Sequence, residues 1–190
     1  MFQPNDKIGL ICCSNGLPDA LSSQINHLLQ LLSEMGLVPV CSPCLFADEF
    51  GNSASPALRA QSLMDFYADS SIRAIFDLSG GDLANQILDE LDFACIQKNR
   101  KPFFGYSDLT VLLNALYAKA GTPSCLYQLR NLIRQESSWQ RNAFSASLFH
   151  NRPELFHFSY HFLRGEKMEG TVVGGNIRCF LKLAGTPYLP

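Results

Sequence analysis

Charged residues are scarce. Lys and Arg number 15, Asp and Glu 17, together 17% of 190 residues, and the formal net charge is -2. Such a chain has no clustered excess of basic residues. Nucleic acid is therefore not expected as its main partner, because phosphate binding needs that excess. Long apolar runs are also missing, and no stretch approaches the ~20 residues that span a bilayer, so no transmembrane helix is expected. The opening MFQPNDKIGLICC lacks a basic leader and a full apolar core region, so no secretory signal is expected either. The single tryptophan, Trp139, follows a Ser-Ser helix start and is expected to serve packing rather than recognition. Hydrophobic residues, by contrast, make 47% of the chain, which excludes disorder. The length fits one full domain, or one domain and part of a second.

Seven cysteines are an odd count, and Cys12, Cys13, Cys95, Cys125 and Cys179 sit in apolar runs. Reduced, buried thiols in a cytoplasmic protein fit this pattern better than a disulfide framework. Cys41 and Cys44 form a CxxC with Pro43 between them, and no second CxxC exists to complete a metal site. A redox pair and an incidental placement in a loop are both open, and free cysteine usually behaves as a small hydrophobe.

The first 150 residues alternate strands and helices. KIGLICC (7–13), LVPVC (37–41), IRAIFDL (72–78) and KPFFG (101–105) read as buried strands. Between them, Leu21, Ile25, Leu28, Leu32 and Met35 keep helical spacing up to Gly36, and Ser55-Pro56 opens a helix bearing Ala60, Leu63, Met64 and Tyr67. Leu83, Ile87, Leu88 and Leu91 mark a third helix, and Leu109, Leu112, Leu113, Leu116 and Tyr117 a strongly amphipathic fourth. This alternation predicts a doubly wound, mostly parallel α/β sheet of Rossmann or flavodoxin type, with its strand-to-helix turns along one edge. Ligands of such sheets bind at that edge, which groups the Gly80-Gly81 turn with Tyr106-Ser107-Asp108. From residue 151 the pattern changes. LFHFSYHFL (155–163) alternates like a strand, and GTVVGGNIRCFLKLAGTPYLP reads as strand, Gly-Gly turn and short helix. We divide the chain into an N-terminal α/β domain, 1–150, and a linker with the unfinished start of a smaller C-terminal domain, 151–190. Phe180, Leu181 and Leu183 are then expected to lack packing partners, with poor solubility as the result.

Ser107 lies in GYSD between an apolar strand and a helix. A nucleophilic serine needs this turn because it projects Oγ off the sheet edge while helix-opening N–H groups face a developing oxyanion. Leu109 stands where a hydrolase elbow has its second glycine, and a plain helix N-cap by Ser107 or Asp108 is the competing reading. Gly80-Gly81 supplies either an oxyanion donor or only a tight turn. Dinucleotide binding is disfavoured because the first strand ends CCSNGLPD rather than GxGxxG, and a P-loop lysine is absent. His27 reads as an ordinary polar-face residue. His157 and His161 flank Ser159 and could form a metal pair or a base, but no carboxylate is spaced to orient them.

Taken together, RAQSLMDFYADSSIRAIFDLSGG, ILDELDFACIQKNRKPFFGYSDLTVLLNAL and VVGGNIRCFLKLAGTPYLP resemble the LD-carboxypeptidases of serine peptidase family S66, which include the microcin C self-immunity hydrolases. KIGLICCSNG is similar to the family's first strand and turn. The resemblance implies Ser107 as nucleophile, the backbone N–H groups of Gly81 and Asp108 as the oxyanion hole, and Gly80 and Asn176 as substrate-binding positions. It implies neither metal nor cofactor. The substrate class it implies is a muropeptide tetrapeptide cut between an L- and a D-residue in cytoplasmic cell-wall recycling, or a peptidyl-nucleotide amide in the immunity branch. A homodimer is compatible with the full-length protein. The family's Glu and His lie beyond the GGN…GT-P segment, and no histidine here matches the base. An Arg often precedes the Gly pair in muropeptide-cleaving members, where this chain has Ser79. The expectation is an N-terminal part that is inactive alone, with a non-catalytic peptide-binding domain and a generic doubly wound domain as the other readings.

Overall fold

The structure, a computed structural model, describes residues 2–135 and 137–190. Strands β1 (Lys7–Ile11), β2 (Val38–Cys41), β3 (Ile72–Asp77), β4 (Phe103–Gly105) and β5 (Cys125–Leu126) form one parallel sheet in the order β2-β1-β3-β4-β5. The doubly wound α/β fold is thus present. Helix α1 (Ser22–Glu34) links β1 to β2. Helices α2 (Pro56–Ala68), α3 (Phe93–Lys98) and α4 (Thr110–Ala120) accompany the crossovers that run the other way across the sheet. Right-handed crossovers in opposite directions put their helices on opposite faces. The direction reverses between β1 and β3, and the crevice at their carboxyl ends is the topological switch point.

Alternation along the strands supplies both cores. Ile8, Leu10, Cys12, Ala74, Phe76 and Phe104 face α1 and α5 (Ser138–His150), where the rings of Phe76 and Phe104 stack at 4.4 Å. Ile11, Cys13, Ile75 and Phe103 face α2, α3 and α4. Pro39 is tolerated in β2 because that strand pairs only with β1 and lies at the sheet edge. Ser55 caps α2 by accepting from Leu58 N–H at 3.3 Å, with Pro56 as the first helical residue, as its sequence predicts.

Several elements differ from the sequence reading. β1 stops at Ile11 and β4 begins at Phe103. Lys101 turns inward instead, donating its ammonium protons to the carbonyls of Phe66 and Asp69. The helix expected at Leu83–Leu91 is a 3-10 turn, Ala84–Glu90, and Asp92 then caps the separate helix α3. α4 is buried on nearly every side rather than amphipathic, because residues 174–183 cover the face turned from the sheet, while Tyr117 stays 39% exposed. LFHFSYHFL is not a strand. Phe158, Tyr160 and Leu163 are exposed, and alternation stabilises nothing where no neighbouring strand takes the backbone hydrogen bonds. No strand forms before Gly174-Gly175 either; α6 (Ile177–Phe180) and a 3-10 turn follow them. Trp139 is exposed, so its expected packing role is not met. Among the described residues, no helix is long and apolar enough to cross a membrane.

Residues 174–190 return to the core beneath α2, α3 and α4. Cys179 and Leu183 are buried among the side chains of α4, Phe180 packs partly against them, and the Tyr188 ring lies 5.8 Å from that of Phe93. Of the three residues expected to lack partners, only Leu181 remains exposed. Leu183→Ala should therefore lower the stability of the whole chain by about 2–5 kcal/mol. Leu181→Ala should stay within about 0.5 kcal/mol of the parent, as exposed substitutions do. Urea unfolding of both variants checks the pair, and equal midpoints would show that the segment is not part of the core.

Candidate active site

β4 delivers the chain to the sheet edge at Gly105, and Tyr106 is still extended, with φ −151°. Ser107 then takes φ +57°. Among the described residues the other non-glycine positions with positive φ are Asn5 and Asn151, a residue type that tolerates this region. Serine does not share that tolerance, and such strain costs roughly 1–3 kcal/mol and persists only where surrounding contacts over-determine it. Ser107 to Leu109 form one 3-10 turn before α4 begins, and no side chain caps either start. The N-cap reading of Ser107 and Asp108 therefore fails. Ser107 is half-buried, and its hydroxyl has no hydrogen-bond partner among the described residues.

The Gly80-Gly81 turn lies directly opposite. A Cβ on Gly80 would sit 3.8 Å from the Ser107 Cβ and 4.0 Å from its Oγ. Gly81 has φ +125°, and a Cβ there would reach within 1.9 Å of the Asn15 Oδ1. Asn15 holds this turn in place: its own N–H donates to the Gly80 carbonyl, and its Oδ1 accepts from the Asp82 N–H at 2.9 Å. The N–H groups of Gly81 and Asp108 have no acceptor among the described residues, which leaves both free for an anionic oxygen.

Beneath the two turns lies a buried polar layer that the sequence reading did not single out. The Asp77 carboxylate accepts from Cys13 N–H at 2.7 Å, from Ser79 N–H at 2.8 Å and from the Ser79 hydroxyl at 2.5 Å. Burial pushes its carboxyl above the ordinary range, against the pull of these hydrogen bonds. Burial and then the Asp77 charge raise the Cys13 thiol, which keeps it neutral. Arg59, with no exposure, donates to the carbonyls of Cys13, Ala54 and Leu83 and to Gln86 Oε1, so it ties the end of β1 to the turn after Gly81. Asp108 has no exposure either. Its Oδ2 accepts from the Ser14 hydroxyl at 2.7 Å and Ala84 N–H at 2.9 Å, and its Oδ1 pairs with Lys182 Nζ at 2.7 Å. A charged residue closing the apolar run IRAIFD and the polar SN after β1 were local signals for Asp77, Ser14 and Asn15. No local signal marks Lys182, 74 residues from its partner.

The remaining candidates sit apart. All four histidines are exposed, on α1, at the end of α5 and in 155–163. Asn176 lies near the start of α4, where its N–H donates to the Thr110 hydroxyl, and its side chain caps α6 through Cys179 N–H. Among the described residues, no group of three His, Cys, Asp or Glu is placed to hold a metal ion. Cys41 is exposed and Cys44 buried, its thiol 3.3 Å from the Ser62 hydroxyl. Ser107 lines neither of two cavities, of about 320 and 290 Å³. One is between α4 and residues 171–175, the other beside Arg59 and Asp48.

The structure is thus a flavodoxin-like parallel α/β sheet with a strained serine at the strand-to-helix turn of its carboxyl edge. The comparison with known families agrees. Residues 8–127 match the LD-carboxypeptidase N-terminal domain of peptidase family S66, and the chain belongs to that family. A putative carboxypeptidase of Treponema pallidum is 28% identical over 214 residues, which cover all of this chain and 63% of the relative. The structure of the microcin C7 self-immunity protein MccF in complex with aspartyl sulfamoyl adenosine shares the fold at a TM-score of 0.81. It is 21% identical, with 100% of this chain and 66% of that one covered. The muramoyltetrapeptide carboxypeptidase of Oxalobacter formigenes superposes with a TM-score of 0.75 at 25% identity, covering 97% of this chain and 62% of that one. The chain thus spans less than two thirds of the length of these relatives.

The two glycines predict opposite mutational outcomes. Gly81→Ala forces a methyl into the Asn15 side chain at a disfavoured φ and should cost roughly 1–3 kcal/mol. Gly80→Ala meets only ordinary van der Waals contacts and should leave stability within about 0.5 kcal/mol of the parent. Paired denaturation curves check this, and equal losses would contradict the turn geometry.

Proposed function

We propose that this chain is the nucleophile-bearing part of a serine LD-carboxypeptidase, which hydrolyses the amide between an L- and a D-residue of a muropeptide tetrapeptide in the cytoplasm. Residues 1–150 form its α/β domain, and 151–190 the linker and the start of a smaller C-terminal domain. The observation that carries the reading is Ser107, held at φ +57° with an unpartnered hydroxyl, facing Gly80 between the free N–H groups of Gly81 and Asp108. In the reaction Ser107 Oγ attacks the scissile carbonyl and the amide C–N bond breaks. The D-residue leaves as its amine with the proton that a base takes from Oγ, and the L-side acyl group remains on Ser107 as an acyl-enzyme. The two N–H groups receive the oxyanion, and water then releases the acyl group. Gly80 leaves room for the substrate beside Oγ, and Asn176, whose side chain caps α6, is assigned as a further substrate-binding position on the family resemblance alone. Each attack also needs a base to take the Oγ proton, and all four histidines are exposed on other segments.

A second reading, a hydrolase of peptidyl- or aminoacyl-nucleotide amides, has one specific observation in its favour. The residue before the Gly pair is Ser79, and its hydroxyl is committed inward to Asp77 at 2.5 Å. No cation extends from that position toward a substrate carboxylate.

The purified 190-residue chain should turn over neither substrate at a useful rate, since a positioned base contributes about 10²–10⁴-fold. Peptide release from an L,D-tetrapeptide and from an aspartyl-adenylate amide analogue would be followed by mass spectrometry, with Ser107→Ala alongside. Robust hydrolysis abolished by Ser107→Ala would overturn the inactivity but support the nucleophile. Saturable binding without any acylated Ser107, even with a C-terminal part supplied from a relative, would favour a non-catalytic binding domain instead.

A further inference from the structure

The two oxyanion donors sit on segments far apart in sequence, Gly81 on the turn after β3 and Asp108 at the start of the turn before α4. Something must set the gap between them. Lys182, in the turn after α6, touches both sides. Its Nζ pairs with the Asp108 Oδ1 at 2.7 Å, donates to the Asp82 carbonyl at 3.0 Å and lies 3.7 Å from the Asp82 Oδ1. Its side chain is mostly covered, at 23% exposure, and the Asp108 side chain it meets has none. The neighbouring charges are Arg178, bound to Asp82 at 2.6 Å, and Asp82 itself, more than half exposed.

The contacts form a closed bridge. Asp108 Oδ2 accepts from Ala84 N–H, and the Ser14 hydroxyl that also donates to it accepts from Leu83 N–H at 3.1 Å. Lys182 closes the remaining side, from Asp108 Oδ1 to the Asp82 carbonyl. That carbonyl belongs to the residue next to Gly81, and the carboxylate belongs to the residue whose own N–H is the second donor. A donor displaced by a fraction of an ångström no longer meets the transition-state oxygen, so this spacing matters to catalysis. We propose that Lys182 is a positioning residue that sets the separation of the Gly81 and Asp108 N–H donors, and that residues 174–190 thereby take part in forming the oxyanion hole. The inference rests on the hydrolase reading for its consequence, but its geometry stands on these contacts alone.

Amide resonances of the 190-residue chain provide the test, because they report the two donors whether or not the chain turns over substrate. Lys182→Met should move the Gly81 and Asp108 cross-peaks together while leaving β1 and β2 in place. Lys182→Arg, which keeps the charge and can still span both acceptors, should restore most of the shift. Should Lys182→Met not fold, Lys182→Gln is read the same way: it is shorter and uncharged, cannot hold both acceptors, and should also move the pair. The proposal is overturned if the folded Met or Gln variant shifts only residues 178–186, or if Lys182→Arg shifts Gly81 and Asp108 as far as Lys182→Met does. A Ser107 that proves chemically inert would sink the hydrolase reading and leave this result unaffected.

Discussion

A carboxylate with no exposure to water must find donors wherever the chain can bring them, and Asp108 finds them on three separate segments. Ser14 comes from the loop after β1, Ala84 from the turn after β3, and Lys182 from the far end of the chain. Taking such a charge out of water costs several kcal/mol unless nearly every lone pair is met. The native state is therefore the arrangement in which these segments converge. Asp108 immediately follows Ser107, so the convergence holds the strained serine where it is. Strain of this size is not relieved by a small local shift, because moving Ser107 would pull Asp108 off three partners at once.

The parallel sheet makes that convergence available. With β1 and β3 adjacent and the winding direction reversed between them, their carboxyl ends open into the same crevice. Asp77 uses the last position of β3 to bind the amide of Cys13 across the gap, and Ser79 returns a hydroxyl to Ser14 N–H. Arg59 does similar work, donating to carbonyls of both loops with no carboxylate partner among the described residues. Unlike an ion pair, this arrangement fixes main-chain atoms directly, and the Gly80-Gly81 turn rests on them.

Residues whose roles are local were legible in the sequence. Strand positions, the Ser55-Pro56 helix start, and the convergence of Gly80-Gly81 with Ser107 follow from period, capping chemistry and crossover handedness. The long-range partners were not legible. Nothing around Lys182 distinguishes it from a solvated lysine, since its role is set by a contact 74 residues away. Leu183 looked unsupported because its partners lie on α4, and α4 looked amphipathic for the same reason: the segment covering its outer face comes from residues 174–183. LFHFSYHFL misled in the opposite direction. Its alternation satisfies the local rule for a strand, but a strand also needs a neighbour, and the rings of Phe158, Tyr160 and Phe162 follow one another along an exposed run.

The same distinction separates two requirements of serine chemistry. The proposed oxyanion donors are main-chain N–H groups, held by the sheet, by the partners of Asp108 and by the Asn15 contact to the glycine turn; all of these lie within the described residues. A general base must instead place one side-chain atom within about 3 Å of Oγ. The histidines on α1 and at the end of α5 are exposed on helices packed against one face of the sheet, and those of 155–163 lie on an exposed run. Preorganisation of the anion site is thus independent of the base. A chain with this sheet and this buried carboxylate keeps a receptive turn at Ser107 even where no proton acceptor stands beside it.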